Sequence, residues 1–140
     1  MKVTVEQLQD IIREVPFASL LGIRILEVGK GSCRAVLPYD PRLLQYYGLV
    51  HGGVIASVAD TMVYMAQATL NGITHNTVTT HLSVTYLGTA GQNDLYTEAT
   101  ILKNGRRLIS GMAEITDTTG RQIAHVTATY MRLDAPVRQP

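Results

Sequence analysis

Hydrophobic and polar residues change period several times along this chain, and each change marks a predicted element. Val5, Leu8, Ile11, Ile12 and Val15 recur at helical spacing, with Glu6, Gln7, Asp10 and Arg13 opposite. Thr4 suits an N-cap and Pro16 stands just past the last apolar position, so an amphipathic helix is expected over 4–15. Two β-rich runs follow, Gly22–Val28 and Ser32–Pro38, joined by the hairpin signal Gly29-Lys30-Gly31. In the second run Cys33, Ala35 and Leu37 alternate with Ser32, Arg34 and Val36, as on a half-buried strand. Asp40–Val50, with Pro41, Gly48 and two tyrosines, reads as a loop.

The pattern then stops alternating. Between Leu43 and Asn93 the only Asp, Glu, Lys or Arg is Asp60. From Val54 to about Leu70 the chain is apolar or weakly polar on every side and free of proline, long enough for about five helical turns. Asn71-Gly72 is a left-handed stop signal. A helix apolar all round is expected to be buried, and a lone carboxylate in it is costly unless paired, hydrogen-bonded or put to use.

Strand patterns fill the remainder. Thr77–Leu87 alternates, with Val78, Leu82, Val84 and Tyr86 on one face and Thr77, Thr79, His81, Ser83 and Thr85 on the other. Leu95–Lys103 and Arg106–Thr116 flank Asn104-Gly105, a two-residue hairpin signal. Asp117–Gly120 reads as a turn, Arg121–Arg132 as the last strand, and Ala135–Pro140 as a fraying tail. The order predicts an α+β fold over residues 1–140 as one domain, with a long central helix covered by a curved antiparallel sheet.

Bulk properties narrow the function classes. A formal net charge of +1 argues against a nucleic-acid partner held by bulk electrostatics. Cys33 is the only cysteine, so no disulfide framework or cysteine-rich metal site is expected; it reads as a small core residue. His75, His81 and His125 fit no common ligand spacing, and no metal is expected. Residues 1–14 lack a continuous apolar run, so no signal peptide is expected. The apolar helix brushes the lower length limit of a membrane span, but Ser57, Asp60, Gln67 and its threonines favour a globular core. No membrane association and a cytoplasmic location are the expectations.

A helix start presents unpaired N–H groups and partial positive charge, and Gly52 and Gly53 leave that surface unshielded. Such a start can hold an oxygen that becomes anionic in acyl transfer, although His51-Gly-Gly can equally serve close packing alone. Asp60 lies eight residues beyond Gly52, about 12 Å along the axis. One helix therefore cannot bring both within about 3 Å of one reacting atom, whereas two antiparallel copies across a two-fold axis can. If both groups act on one substrate, the protein is at least a dimer.

His51-Gly52-Gly53, six further residues and Asp60, with Gly48 three residues before the histidine, open a long apolar helix. A strand ending in Tyr86-Leu87 follows. This combination resembles the hotdog-fold acyl-CoA thioesterases of the PaaI type, over roughly Leu20–Leu133. The resemblance implies a long central helix wrapped by an antiparallel sheet, and homodimeric active sites, often within a homotetramer. It also implies hydrolysis of acyl-CoA without cofactor. Asp60 matches the family carboxylate, acting as general base or nucleophile, and Gly52 the glycine whose N–H polarises the thioester carbonyl. His51 matches the histidine that orients this loop. Gln45 stands where the family usually has Asn, and Thr79 where relatives carry Ser or Thr near the attacking water. Gly53 lies beside the polarising amide. Tyr64, four residues past Asp60, shares its helix face and is a candidate partner for the carboxylate or simply core. Lys103, Arg106 and Arg107 concentrate charge at a hairpin that in relatives contacts the CoA phosphates; a solvated tip is the alternative. Tyr46, Tyr47, Val54, Val58, Met62 and Met65 are either pocket or core. Two other readings remain. One is a non-catalytic acyl-CoA-binding hotdog domain; the other is an acyl-thioester hydratase or dehydratase, which needs a second ionisable group beside Asp60.

Overall fold

In the computed structural model, which describes residues 2–73 and 75–136, two short helices lead into a six-stranded antiparallel sheet that holds one long helix. Helix α1, Val5–Glu14, starts as expected: Thr4 and Gln7 form a reciprocal capping box. Pro16 does not lead into coil. It sits in the first turn of a second helix, α2, Pro16–Leu21, where a missing N–H costs nothing. Gly22, at φ 79, ends α2 in the left-handed conformation, so the first strand begins later than the pattern suggested.

Strands β1, Arg24–Gly29, and β2, Ser32–Leu37, form the expected hairpin. Val36 departs from the expected alternation and is buried together with Cys33, Ala35 and Leu37. Its neighbours in register are Arg24 and Tyr96, whose longer side chains flank it. Pro41–Leu43 is a single 3-10 turn in the expected loop. The central helix α3 runs Gly52–Asn71.

The four later strands are β3, His75–Tyr86; β4, Leu95–Asn104; β5, Leu108–Thr116; and β6, Gln122–Pro136. The sheet order is β1-β2-β4-β5-β6-β3, which leaves β1 and β3 at the edges. Asn104-Gly105 does not form the expected two-residue turn: Asn104 still pairs with Ile109, and the loop is 105–107. Asn104 is held instead by helix α3, exchanging hydrogen bonds of 2.8 and 2.9 Å with Asn71. β6 outlasts its predicted end, pairing Pro136 with His75, so the expected fraying does not begin at Ala135; residues 137–140 lie outside the described residues.

Helix α3 buries Ile55, Val58, Ala59, Met62, Val63, Met65, Ala66 and Ala68 against the concave face of the sheet. Gly111 on β5 marks the closest approach, where a Cβ would lie 2.5 Å from Val63 Cγ1. Burial is not all round, as the uniform apolarity had suggested. Gly53 is exposed, and Ala56, Ser57, Asp60, Thr61 and Tyr64 are only partly covered. These positions recur at three- and four-residue spacing and form one uncovered stripe. No helix among the described residues is long and apolar enough to cross a membrane.

The β1 edge is closed by a side chain. Gln9 of α1 accepts from Ile25 N–H at 2.8 Å and donates to Ile23 C=O at 3.1 Å, replacing a neighbouring strand. Gln9→Ala should lower stability by about 1–2 kcal/mol, because both backbone groups are part-buried and lose their partner. A denaturant titration at fixed protein concentration checks this, with a lower midpoint and an unchanged slope expected.

Candidate active site

The N-terminus of α3 is capped from within the motif. His51 Nδ1 accepts from Gly53 N–H at 2.8 Å, which requires the ring proton on Nε2. The N–H groups of Val54 and Ile55 go to the His51 carbonyl, at 2.9 and 3.3 Å. His51's own N–H donates to Leu43 C=O at 2.9 Å and ties the preceding loop to the helix. Gly52 N–H has no acceptor among the described residues. Of the two glycine amides, Gly53 is therefore occupied and Gly52 is open, a distinction that spacing does not reveal.

Gly52 is further fixed from the sheet. The Tyr86 hydroxyl donates to Gly52 C=O at 2.5 Å, and a Cβ at position 52 would lie 3.3 Å from the Tyr86 ring. The end of β3 thus packs on the glycine and aligns the peptide planes around it. Ser57 Oγ donates back to Gly53 C=O at 2.7 Å.

Two turns further along, Asp60 is turned toward the sheet. Thr79 Oγ1 donates to its Oδ1 at 2.9 Å, and Tyr130 Oη reaches the same oxygen at 2.9 Å. Tyr130 also lies within hydrogen-bond distance of the Asp60 main-chain carbonyl. No described residue donates to Oδ2. Thr79 reaches this position because β3 carries a bulge: Thr79 pairs with Tyr130 and His81 with Thr129, which leaves Thr80 as an extra residue. The bulge reverses the alternation, so Thr79 joins the helix side together with Leu82, Val84 and Tyr86. Val78, which uninterrupted alternation had placed with that set, pairs with Met131 and is exposed.

Tyr64 does not bind Asp60. Its hydroxyl makes no hydrogen bond among the described residues, and burial pushes its pKa up. Tyr130, 70 residues from Asp60 in the chain, takes that role; no local spacing could have revealed it. Gln45 is committed to its own loop. Its Oε1 accepts from the N–H groups of Tyr47 and Leu49, which leaves its Nε2 hydrogens as free donors.

The remaining candidates scatter. Val58, Met62 and Met65 are core, whereas Tyr46 and Tyr47 are 95% and 83% exposed on the loop before α3. Cys33 is buried with its Sγ 3.4 Å from Met62 C=O, and burial pushes its thiol up to about 12, consistent with a core residue. His125 pairs with Glu114 on the opposite face of the sheet from the helix. Lys103, Arg106 and Arg107 are exposed at the β4–β5 hairpin. Arg107 lies 3.6 Å from Asp134, and the Asn71–Asn104 pair ties the hairpin to the C-terminal end of α3.

A helix-start amide without an acceptor and a carboxylate with one free oxygen can polarise a carbonyl and activate a nucleophile. Comparison with known proteins bears on which chemistry this is. Residues 47–124 match the model of the thioesterase superfamily. A protein of Mycobacterium tuberculosis, Rv1847, which is named as a candidate esterase, is 34% identical over 124 residues, 86% of this chain and 89% of that one. Its solved structure superposes with a TM-score of 0.79 at 32% identity, covering 89% of this chain and all of that one. The PaaI protein of E. coli superposes with a TM-score of 0.82 at 20% identity, with 96% of each chain covered, a likeness of fold. Motif, sheet order and relatives agree: the chain belongs to the thioesterase superfamily, hydrolases of ester or thioester bonds, and has its hotdog fold.

Proposed function

We propose that the protein hydrolyses acyl-CoA thioesters at a site shared by two copies of the chain. The observation that carries this reading is an open Gly52 amide at the start of α3 together with an Asp60 oxygen that no described residue meets, on the uncovered stripe of the same helix. They lie about 12 Å apart along the axis. Antiparallel packing of two such helices sets each Gly52 opposite the Asp60 of the other chain. The twelve-residue β3 lies at a sheet edge and offers a further pairing surface for a second copy.

In this reading the thioester oxygen accepts from Gly52 N–H, which stabilises the charge that develops as the carbonyl is attacked. Asp60 Oδ2 either takes a proton from the attacking water or attacks the carbonyl itself. Collapse of the tetrahedral intermediate breaks the C–S bond and releases CoA and the free acid. His51 orients the loop through the Gly53 amide, and Thr79 holds the carboxylate. Hydratase chemistry needs a second exchangeable proton beside Asp60. Tyr130 is an ionisable neighbour, but burial first, and then the Asp60 charge, push its pKa up, so it serves as a fixed donor.

The basic hairpin supports CoA as the thiol component. It is anchored to the end of α3, eleven residues and about 16 Å past Asp60, which leaves a pantetheine arm room to lie along the helix. Arg106→Ala with Arg107→Ala should raise KM for acyl-CoA more than it lowers kcat, with an effect that shrinks in salt. An unchanged KM assigns the hairpin to solvent.

Asp60→Asn should lower kcat by about a hundredfold or more while fold and assembly persist, read as thiol release across a panel of acyl-CoAs. Near-normal turnover would make Asp60 structural.

Mixing two inactive proteins tests the shared site. Gly52→Pro removes the open amide at the first helical position, where proline's φ suits the helix and His51 at ψ 133 has extended backbone, while the Tyr86 ring, 3.3 Å from the added Cβ, must shift by a few tenths of an ångström. Subunit exchange with Asp60→Asn should restore about a quarter of normal activity, since about half the dimers are mixed and each has one intact site. If both variants fold and exchange yet no activity returns, the two groups do not serve one substrate.

A further inference from the structure

Among the described residues, Tyr130 alone has a hydroxyl that reaches both the side chain and the main-chain carbonyl of Asp60. Its ring is 2% exposed, packed under α3 from β6. Its Oη contacts the Asp60 main-chain carbonyl and stands 2.9 Å from Oδ1. A tyrosine serving only to fill the core would have no reason to aim its single hydroxyl hydrogen between two oxygens of one aspartate. The contact ties the carboxylate to the backbone it springs from and so restricts rotation of the side chain.

The second donor falls on the same oxygen. Thr79, on the neighbouring strand and in register with Tyr130, reaches Oδ1 at 2.9 Å. Two hydroxyls thus meet Oδ1, and among the described residues none meets Oδ2. We propose that Tyr130 is a positioning residue that holds Oδ1 against the sheet and so presents Oδ2 to the reacting thioester; this rests on the acyl-CoA reading above.

The surroundings keep the Tyr130 phenol protonated. Burial, and secondarily the Asp60 charge, push the phenol far above its ordinary range, opposed by the Tyr64 backbone N–H, so the hydroxyl remains a donor. The groups facing the carboxylate are Thr79 from β3 and Tyr130 from β6, with Tyr64 one turn along its own helix. None of the ion pairs among the described residues includes Asp60. The two hydroxyls are therefore its nearest polar support.

Tyr130→Phe keeps the ring and its packing and removes only the donor. The variant should lose about ten- to hundredfold in kcat, the scale of one hydrogen bond to a charged group, with KM little changed. Thr79→Val, which removes the other donor to Oδ1, should likewise lower kcat with KM little changed.

A readout independent of turnover is the carboxyl carbon-13 signal of Asp60 in aspartate-labelled protein, identified by its loss in Asp60→Asn. At one fixed pH its chemical shift should move in Tyr130→Phe relative to wild type, because the carboxylate oxygen loses a donor. An unchanged carbon-13 shift together with an unchanged kcat overturns the positioning role. If wild type releases thiol from no acyl-CoA, the substrate reading fails, and the carbon-13 shift alone decides whether Tyr130 holds the carboxylate: a moved signal upholds it and an unmoved one overturns it.

Discussion

A carboxylate at the rim where a helix packs on a sheet is held in one orientation only if the sheet supplies hydrogen-bond donors to it. Asp60 meets this demand with hydroxyls from β3 and β6. The solution ties the site to sheet register, because Thr79 faces the helix only on account of the extra residue at Thr80. A slip of one position would turn Thr79 outward and put an apolar side chain against the carboxylate. The geometry of one side chain is thus held by the pairing of two whole strands.

The start of the same helix poses the opposite problem, too many donors. Its first amides need acceptors, and the motif supplies them selectively: the His51 ring takes Gly53, and the His51 carbonyl takes Val54 and Ile55. Gly52 is left over, with Tyr86 gripping its carbonyl from the end of β3. An amide open at a helix start, with the local field of the helix behind it, suits an oxygen that gains charge, the role proposed for Gly52. Because β3 holds Thr79 at one point and Tyr86 at another, a single edge strand sets the relation between the helix start and its carboxylate.

The far end of α3 is also tied to the sheet, but through amides. Asn71 and Asn104 exchange hydrogen bonds, and Asn71 adds a third to Gln67, which is buried. This pairing diverts Asn104 from the tight turn that Asn-Gly normally makes and gives the basic hairpin a three-residue loop. It also makes the distance from Asp60 to the cations a property of the helix rather than of a flexible tip.

Much of this was legible in the sequence, because periodicity, capping and turn signals are nearest-neighbour physics. Thr4 and Gln7 cap α1, the long apolar run from Val54 lies in α3, and most later strands begin or end within a few residues of where the alternation places them. The spacing of Gly52 and Asp60 by itself fixed their axial separation, and His51-Gly-Gly with Asp60 indicated the family. What only the tertiary structure decided depends on partners far along the chain. The bulge at Thr80 arises from pairing with β6, and an alternating run carries no mark of one inserted residue. Tyr130 reaches Asp60 across 70 residues, and the choice of Gly52 over Gly53 as the open amide depends on where the His51 ring folds. The uncovered stripe on α3 was hidden for the same reason: a run of small and apolar residues reads alike whether a sheet covers one side of it or all of them.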